Sequence, residues 1–600
     1  MTGLAWLLPG APLLAALIGF FLPPAARRPA ALVGSLGALI ALGCAVALLL
    51  RDPVAAHVKL ASFGALDVTL GVSVTAIAAV VAVAVGVVAL AVQVYSAAYL
   101  HDDTNYAPYA AQISLFTAAM LTVVVADDLL VLLVGWEVMG ACSYLLIAHD
   151  RSLPEAPAAA VKAFLVTRVG DVGFLLGIAV LAVNAKTLDI GKVLAHHYSP
   201  GVLTAATLLL LAGVFGKSAQ FPFHSWLPDA MAGPTPISAL IHAATMVAAG
   251  VYVVARLYPL FGASHTAMAV LAVAAAITML WGACCAMAAT DIKKVLAWST
   301  VSQLGYMTGA LAAGSPPAAL FHLLSHAGFK ALLFLCAGAV IHATGSNRID
   351  DAGGLRTRMP VTFWTMTIGL AALVGLPPVS GFWSKENVLV QAEHAEGWQG
   401  RLIFIAGMVT VALTAWYSTR LWLRTFFGHY RGEAAKPHDP PALMRGPLLV
   451  LAVPAALFGL LALGNWLGHR LGGDLLDLNK MTLVALFLTG IGAVAASAGA
   501  SHSDPARFLG PLRPLFANAF YFDTVQDYVV VKPVRALARA IGFLDARVVD
   551  GAVEGTGTGS NRIGALVNRL NAPGLPRYAT AALAGVLLIA VAALATEVLR

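Results

Sequence analysis

The sequence predicts an all-α polytopic membrane protein: about sixteen transmembrane helices, two inverted repeats containing broken helices, and a C-terminal amphipathic helix. Three observations carry this expectation. Of 600 residues, 60% are apolar and only 11% are charged, where an average soluble chain carries about 25% charged residues. Mean hydropathy is +0.84. Apolar runs long enough to cross a bilayer recur along the whole chain, and lipid admits only helices or closed barrels. The runs lack the period-2 alternation of barrel strands, so helices are expected and strands are not. A soluble enzyme, a nucleic-acid binder and a disordered hub are excluded together.

The spanning runs fall at about 3–22, 30–50, 67–98, 110–126, 128–149, 158–184, 201–221, 236–258, 264–288, 293–313, 317–343, 360–394 (interrupted), 401–427, 446–466, 480–500 and 577–597. The N-terminus lacks a basic n-region, and Ala25-Ala26-Arg27-Arg28 follows the first run. This reads as an uncleaved first span. The net charge of +7 reflects basic residues gathered in loops for topology, not nucleic-acid binding. In alternate loops Lys and Arg divide thirteen against eight, which places the richer set in the cytoplasm and both termini outside. The five cysteines lie in apolar runs without CxxC spacing, so no iron–sulfur or c-haem ligation is evident.

The organisation that follows is N-terminal transmembrane helices at 1–109, a first repeat at 110–258, a second repeat at 259–427, additional helices at 428–514, an amphipathic helix at 515–575 and a final span at 576–600. In the amphipathic stretch Val534, Leu537, Ile541, Leu544 and Val548 recur at steps of 3 and 4, with charged residues between them. That is one apolar stripe on a helix too charged to span. Pro533 and the Gly555–Gly559 cluster are expected to interrupt it.

Charges inside apolar runs are the functional candidates, because burial at membrane depth is costly. Glu137 is alone between Asp128 and His149; it either handles protons or pairs a neighbouring helix. Lys217 precedes Pro222, Pro228, Gly233, Pro234 and Pro236, which break the helical ladder. A buried lysine beside a broken helix is how transporters build ion sites. Leu211 occupies the position where a phosphate-binding loop needs its first glycine. Lys385, beside Glu386, repeats the pattern after Gly375-Leu376-Pro377-Pro378. The alternative is a helix end in water. His322, His326 and Lys330 step by four along one helix face. They form a proton wire or a set of satisfied core histidines; a metal site lacks its third ligand. His242, after Pro236, can join that line. Arg168 and Asp171 at i, i+3 can pair with each other, structurally or for coupling. Asp291 reads as a helix N-cap.

Several of these segments together resemble the antiporter-like subunits of respiratory complex I. They are Gly135-Trp136-Glu137-Val138-Met139-Gly140, Phe215-Gly216-Lys217-Ser218-Ala219-Gln220 continuing through His224-Ser225-Trp226-Leu227-Pro228-Asp229-Ala230-Met231, Pro234-Thr235-Pro236 to His242, Asp291-Ile292-Lys293-Lys294, His322 to Lys330, and Ser380-Gly381-Phe382-Trp383-Ser384-Lys385-Glu386. Multisubunit cation/proton antiporters share these motifs. Tyr521-Phe522-Asp523, the amphipathic stretch and the last span narrow the resemblance to the L-subunit family of bacterial NADH-quinone oxidoreductase. Leu70-Gly71-Val72-Ser73 departs from the family's Asp-Gly-Leu-Ser-like segment.

The resemblance implies two antiporter-like repeats and a lateral helix along neighbouring subunits. It implies a proton relay of Glu137, Lys217, His242, His322, His326, Lys330 and Lys385, with Arg168 and Asp171 as a coupling pair. A Glu137–Lys217 ion pair is expected to set the lysine's charge. No cofactor or metal site is expected in this chain; NADH, FMN, iron–sulfur clusters and quinone belong to partner subunits. The implied partners are other membrane subunits of complex I, chiefly the neighbouring antiporter-like subunit, with the lipid bilayer around them. The implied location is the inner (plasma) membrane. The alternative is a sodium/proton antiporter subunit.

Overall fold

The computed structural model describes residues 2–63, 66–434, 436–476, 478–498, 503–570 and 574–598. Among them fourteen helices are long and apolar enough to cross a membrane. The two other expected spans are helical but differ in kind. Ile292–Ala312 forms a full helix whose inner face is polar. The interrupted run is two shorter helices, Pro360–Val374 and Ser380–His394. The chain resolves into two compact units, Met1–Phe520 and Tyr521–Arg600.

One part of the all-helical expectation is wrong. Val54–Phe63 and Leu66–Val74 form an antiparallel hairpin, where the run at 67–98 was read as one span. That run changes period at Thr75, whose hydroxyl caps the helix Ala76–Tyr99 at Ala78 N. Before it, Leu70, Val72 and Val74 alternate with Thr69, Gly71 and Ser73, the period of a strand. The hairpin escapes the prohibition on strands in lipid by docking at the ends of spanning helices. Asp127 N donates to Gly71 O at 3.1 Å. Asp128 accepts from Thr69 N and Thr69 Oγ1, and also caps the helix Leu129–Ile147 through Leu130 N at 2.8 Å.

The core of the first unit is close helix packing. Glu155–Ala185 and Pro200–Lys217 approach backbone to backbone. A Cβ at Gly170 would lie 2.5 Å from Ala212 O, one at Gly177 3.0 Å from Ala206 O, and one at Gly213 2.5 Å from Phe174 Cβ. Small residues are what permit such approach between membrane helices. Asp291 is the N-cap of Ile292–Ala312, accepting from Lys294 N at 3.0 Å.

The second unit corrects another expectation. Helical backbone runs without a break from Phe522 to Leu570, with two π turns at Asp527–Val531 and Asp545–Val549. At 1.5 Å per residue it is about 70 Å long. Pro533 lies inside this continuous helix, directly after the π turn at Asp527–Val531. Through the glycine cluster, Thr556 Oγ1 donates to Ala552 O at 2.6 Å and Thr558 Oγ1 to Glu554 O at 2.8 Å. These bonds tie the threonines back to the preceding turn. The apolar helix Leu575–Val598 follows.

Candidate functional site

The two broken-helix lysines are built differently. Lys217 ends the helix Pro200–Lys217. The backbone then leaves helical geometry at Ala219, with φ +46°, and stays unwound to Ser225. Side chains hold the unwound segment in place of the lost ladder. Ser218 Oγ donates to Val247 O at 2.7 Å, Phe221 N to Thr278 Oγ1 at 2.9 Å, and Trp226 Nε1 to Gly216 O at 2.9 Å. Lys385 instead lies inside Ser380–His394, beyond the interruption Gly375–Val379. It is 3% exposed, so it is not a helix end in water.

Around Lys217 the expected pairing is exchanged. Lys217 Nζ donates to Asp171 Oδ2 at 3.1 Å, and Trp136 Nε1 donates to Asp171 Oδ1 at 2.6 Å. Glu137 is taken by Arg168, through Nη1 on Oε2. Neither the Glu137–Lys217 pair nor the Arg168–Asp171 pair forms. The cause is helix packing. The glycine contacts at Gly170 and Gly213 press the Asp171 face of Glu155–Ala185 against the Lys217 helix. Arg168 falls on the outer edge, 37% exposed against 28% for Glu137, while Lys217 and Asp171 are fully buried. Trp136 stacks on Phe174 at 4.5 Å and lies 5.7 Å from Lys217 Nζ.

The second cluster lies along Pro316–Thr344. His322 Nδ1 meets Ser384 Oγ, and Nε2 meets Gln303 Oε1, both at 3.0 Å. The His322 and His326 rings are 6.4 Å apart. Lys330 Nζ donates to Leu296 O at 3.1 Å and to Ser299 Oγ. Lys385 Nζ has no hydrogen-bond partner and rests 5.0 Å over the Tyr306 ring. His242 closes Thr235–Ala243, just before a break at Ala244–Thr245. Its ring packs on Phe334 at 4.7 Å with both nitrogens unpaired, and the Ala243 backbone bonds His326. Gln220, three residues past Lys217, accepts from Thr308 Oγ1 at 2.8 Å. This ties the first cluster to the helix that touches the second.

Trp136 as a partner of Asp171, and Ser299, Gln303, Tyr306 and Ser384 around the second cluster, were not expected from the sequence. A signal existed: Ser299, Gln303 and Tyr306 are polar-bearing at i, i+4 and i+7 in an apolar run.

Similarity to known proteins agrees with this architecture. Residues 126–414 match the family described as NADH:quinone oxidoreductase/Mrp antiporter, TM, and residues 60–110 that of NADH-Ubiquinone oxidoreductase (complex I), chain 5 N-terminus. NADH-quinone oxidoreductase subunit L of Mycobacterium tuberculosis is 37% identical over 631 residues, covering 99% of both chains. This chain belongs to the subunit L/chain 5 family of NADH-quinone oxidoreductase. NAD(P)H-quinone oxidoreductase chain 5 of a Picosynechococcus strain is 38% identical, covering 92% of this chain and 93% of that one. Among solved structures, a chain of the Mrp complex from Dietzia sp. superposes with a TM-score of 0.76 at 28% identity. The match covers 99% of this chain, which spans 63% of that one. An archaeal membrane-bound sulfane sulfur reductase chain shares the fold, with a TM-score of 0.69 at 23% identity, over 82% of this chain and 99% of that one. For a member of this family, the membrane placement and the antiporter-like bundle are those of an oxidoreductase's membrane subunit.

Proposed function

We propose that this subunit translocates protons through two linked clusters, Glu137–Arg168 with Asp171–Lys217 and His242–His326–Lys330–His322–Lys385. Electron transfer in partner subunits that hold NADH, FMN, iron–sulfur clusters and quinone drives the movement. This subunit's direct contacts are the other membrane subunits of complex I, chiefly the neighbouring antiporter-like subunit along the long amphipathic helix, in the inner (plasma) membrane. The repeats at 110–258 and 259–427 then serve as two half-channels, the second cluster taking His242 from the first repeat.

The observation that supports this reading is the Lys217–Asp171 pair. An ion pair taken wholly out of water at a helix break is expensive to bury, which marks it as a functional element. Asp171 supplies the counter-charge for Lys217 in the apolar bundle. Drawing Asp171 away, towards the nearby Arg168, leaves an ammonium without a counter-charge in an apolar bundle, and the proton departs. The break lets Lys217 shift relative to Asp171, because its segment is held by side-chain bonds and isolated turns, not by a continuous helical ladder. In membrane vesicles holding the assembled complex, Lys217→Ala and Glu137→Gln are expected to cut proton pumping sharply while the complex still assembles. Normal pumping by both would overturn the relay.

The likeness to the Mrp complex favours a second reading, sodium/proton exchange. A sodium-dependent pH gradient formed without NADH would decide for it.

A further inference from the structure

The helix Ile292–Ala312 supplied no member of the relay, yet it touches three of them. Leu296 O and Ser299 Oγ accept from Lys330 Nζ. Gln303 Oε1 meets His322 Nε2 at 3.0 Å. The Tyr306 ring lies 5.0 Å from Lys385 Nζ and 6.1 Å from the His322 ring. The Tyr306 hydroxyl donates to Gly407 O at 2.5 Å, fixing the ring's angle. Residues 296, 299, 303 and 306 advance by three or four, so they share one helix edge. All four are buried.

We propose that this edge is a positioning template for the second half-channel, with Gln303 as the residue that holds His322 ready to take up a proton. The inference rests on the relay reading above. An amide oxygen accepts a hydrogen bond but is not itself protonated near neutral pH. With Oε1 at Nε2, the neutral imidazole carries its hydrogen there and turns the Nδ1 lone pair to Ser384 Oγ, 3.0 Å away. One proton enters at Nδ1 through the Ser384 hydroxyl. Lys385 Nζ, unpartnered over the Tyr306 ring, first swings to that hydroxyl; its ammonium then refills it and becomes the neutral amine, so one proton moves and charge balances.

The resulting imidazolium has poor company. Lys330 and His326 face it from its own helix, and Lys385, now the neutral amine, from Ser380–His394. Tyr306 adds only a ring face. The Gln303 oxygen is therefore the acceptor that makes the cation tolerable, through a charge-assisted bond to Nε2–H. Gln303 Nε2 is buried without a partner, so no other hydrogen bond determines where the amide sits.

The test compares Gln303→Leu, Gln303→Asn and Gln303→Glu in membrane vesicles holding the whole complex, with the pumping rate on NADH normalised to assembled complex. Leu removes the acceptor, Asn withdraws it by one methylene, and Glu restores an acceptor oxygen. Loss of a hydrogen bond to a charged group lowers occupancy of the cation roughly tenfold. Leu and Asn are therefore expected to pump about tenfold slower, with Glu recovering most of the rate. A packing role predicts the opposite order, Leu best and Glu worst. That order, an equal loss in all three, or a normal rate in Asn would overturn the proposal. If Leu fails to assemble, Asn against Glu decides. His322→Ala run in parallel separates the two levels. Normal pumping there sinks the relay and the template together. Loss there with normal Gln303→Asn sinks the template alone.

Discussion

Lys217 closes on Asp171, and Glu137, three positions before the closely apposed Gly140, closes on Arg168. The acid that faces the lysine is thus the one on Glu155–Ala185, not the one on Leu129–Ile147. The carboxylate paired with the lysine is itself oriented by the Trp136 N–H at 2.6 Å.

Removing each acid should therefore have different costs. Asp171→Asn strands a fully buried ammonium, and breaking such a pair costs about 3–5 kcal/mol. Glu137→Gln leaves Arg168, which is 37% exposed, and should cost less in thermal stability of the assembled complex. Equal destabilisation by the two variants would mean that Lys217 answers to both acids equally.

Gly140 offers a way to disturb the pair without touching it. A Cβ there would lie 2.5 Å from Lys217 Nζ, the far end of a flexible side chain. Gly140→Ala should fold, because Nζ can move. It should also lower pumping per complex, because Nζ then leaves Asp171. Gly490→Ala, where nothing lies within 4 Å, is the control. Vesicle pumping with both variants checks this, and identical rates would show that the pair tolerates displacement.

Outside the spans, Asp504 gives a pH dependence. Burial pushes its carboxyl up, but the Arg420 guanidinium, hydrogen-bonded to it at 2.6 and 2.8 Å, outweighs burial and holds it below the usual carboxylate range. A depressed carboxylate stabilises the fold above its unfolded value of about 3.9. That stabilisation is lost as pH falls through the lower folded value. Asp504→Asn should destabilise by about 3 kcal/mol at neutral pH and should narrow the gap to the parent protein in acid. A gap independent of pH in thermal melts would contradict the pairing.

The long helix of the second unit predicts its own response. A Cβ at Gly555, Gly557 or Gly559 meets nothing within 4 Å. Alanine at an exposed helix interior gains about 1 kcal/mol over glycine. Each Gly→Ala change should slow amide hydrogen exchange across Asp550–Leu570 in the assembled complex. Exchange that is fast and unchanged would mean that the segment is not helical there.

Much of this was legible in the chain itself. Glu137, Lys217, Lys330 and Lys385 stood out because each is a charge in an apolar run. Asp291 was readable as an N-cap because the side chain and its backbone partner are three residues apart. The glycines at 555–559 misled for the opposite reason. Local propensity argued for a break, while two threonine hydroxyls bonded the preceding turn. The hairpin was hidden because its apolar alternation joined the next span without a charge between them.

The sequence by itself determined the membrane class, the broken helices beside Lys217 and Lys385, and the His322–His326–Lys330 face. These follow from composition and from spacings of a few residues. Only the tertiary structure decided which acid holds which cation, and which helix places Ser299, Gln303 and Tyr306 against Lys330, His322 and Lys385. Asp171 reaches Lys217 across 46 residues, through glycine contacts that set how deep one helix sits against another. Gln303 reaches His322 across 19. No local rule encodes such a register, because interhelical distance is the sum of many small packing choices and the charges take whichever partner the packing presents.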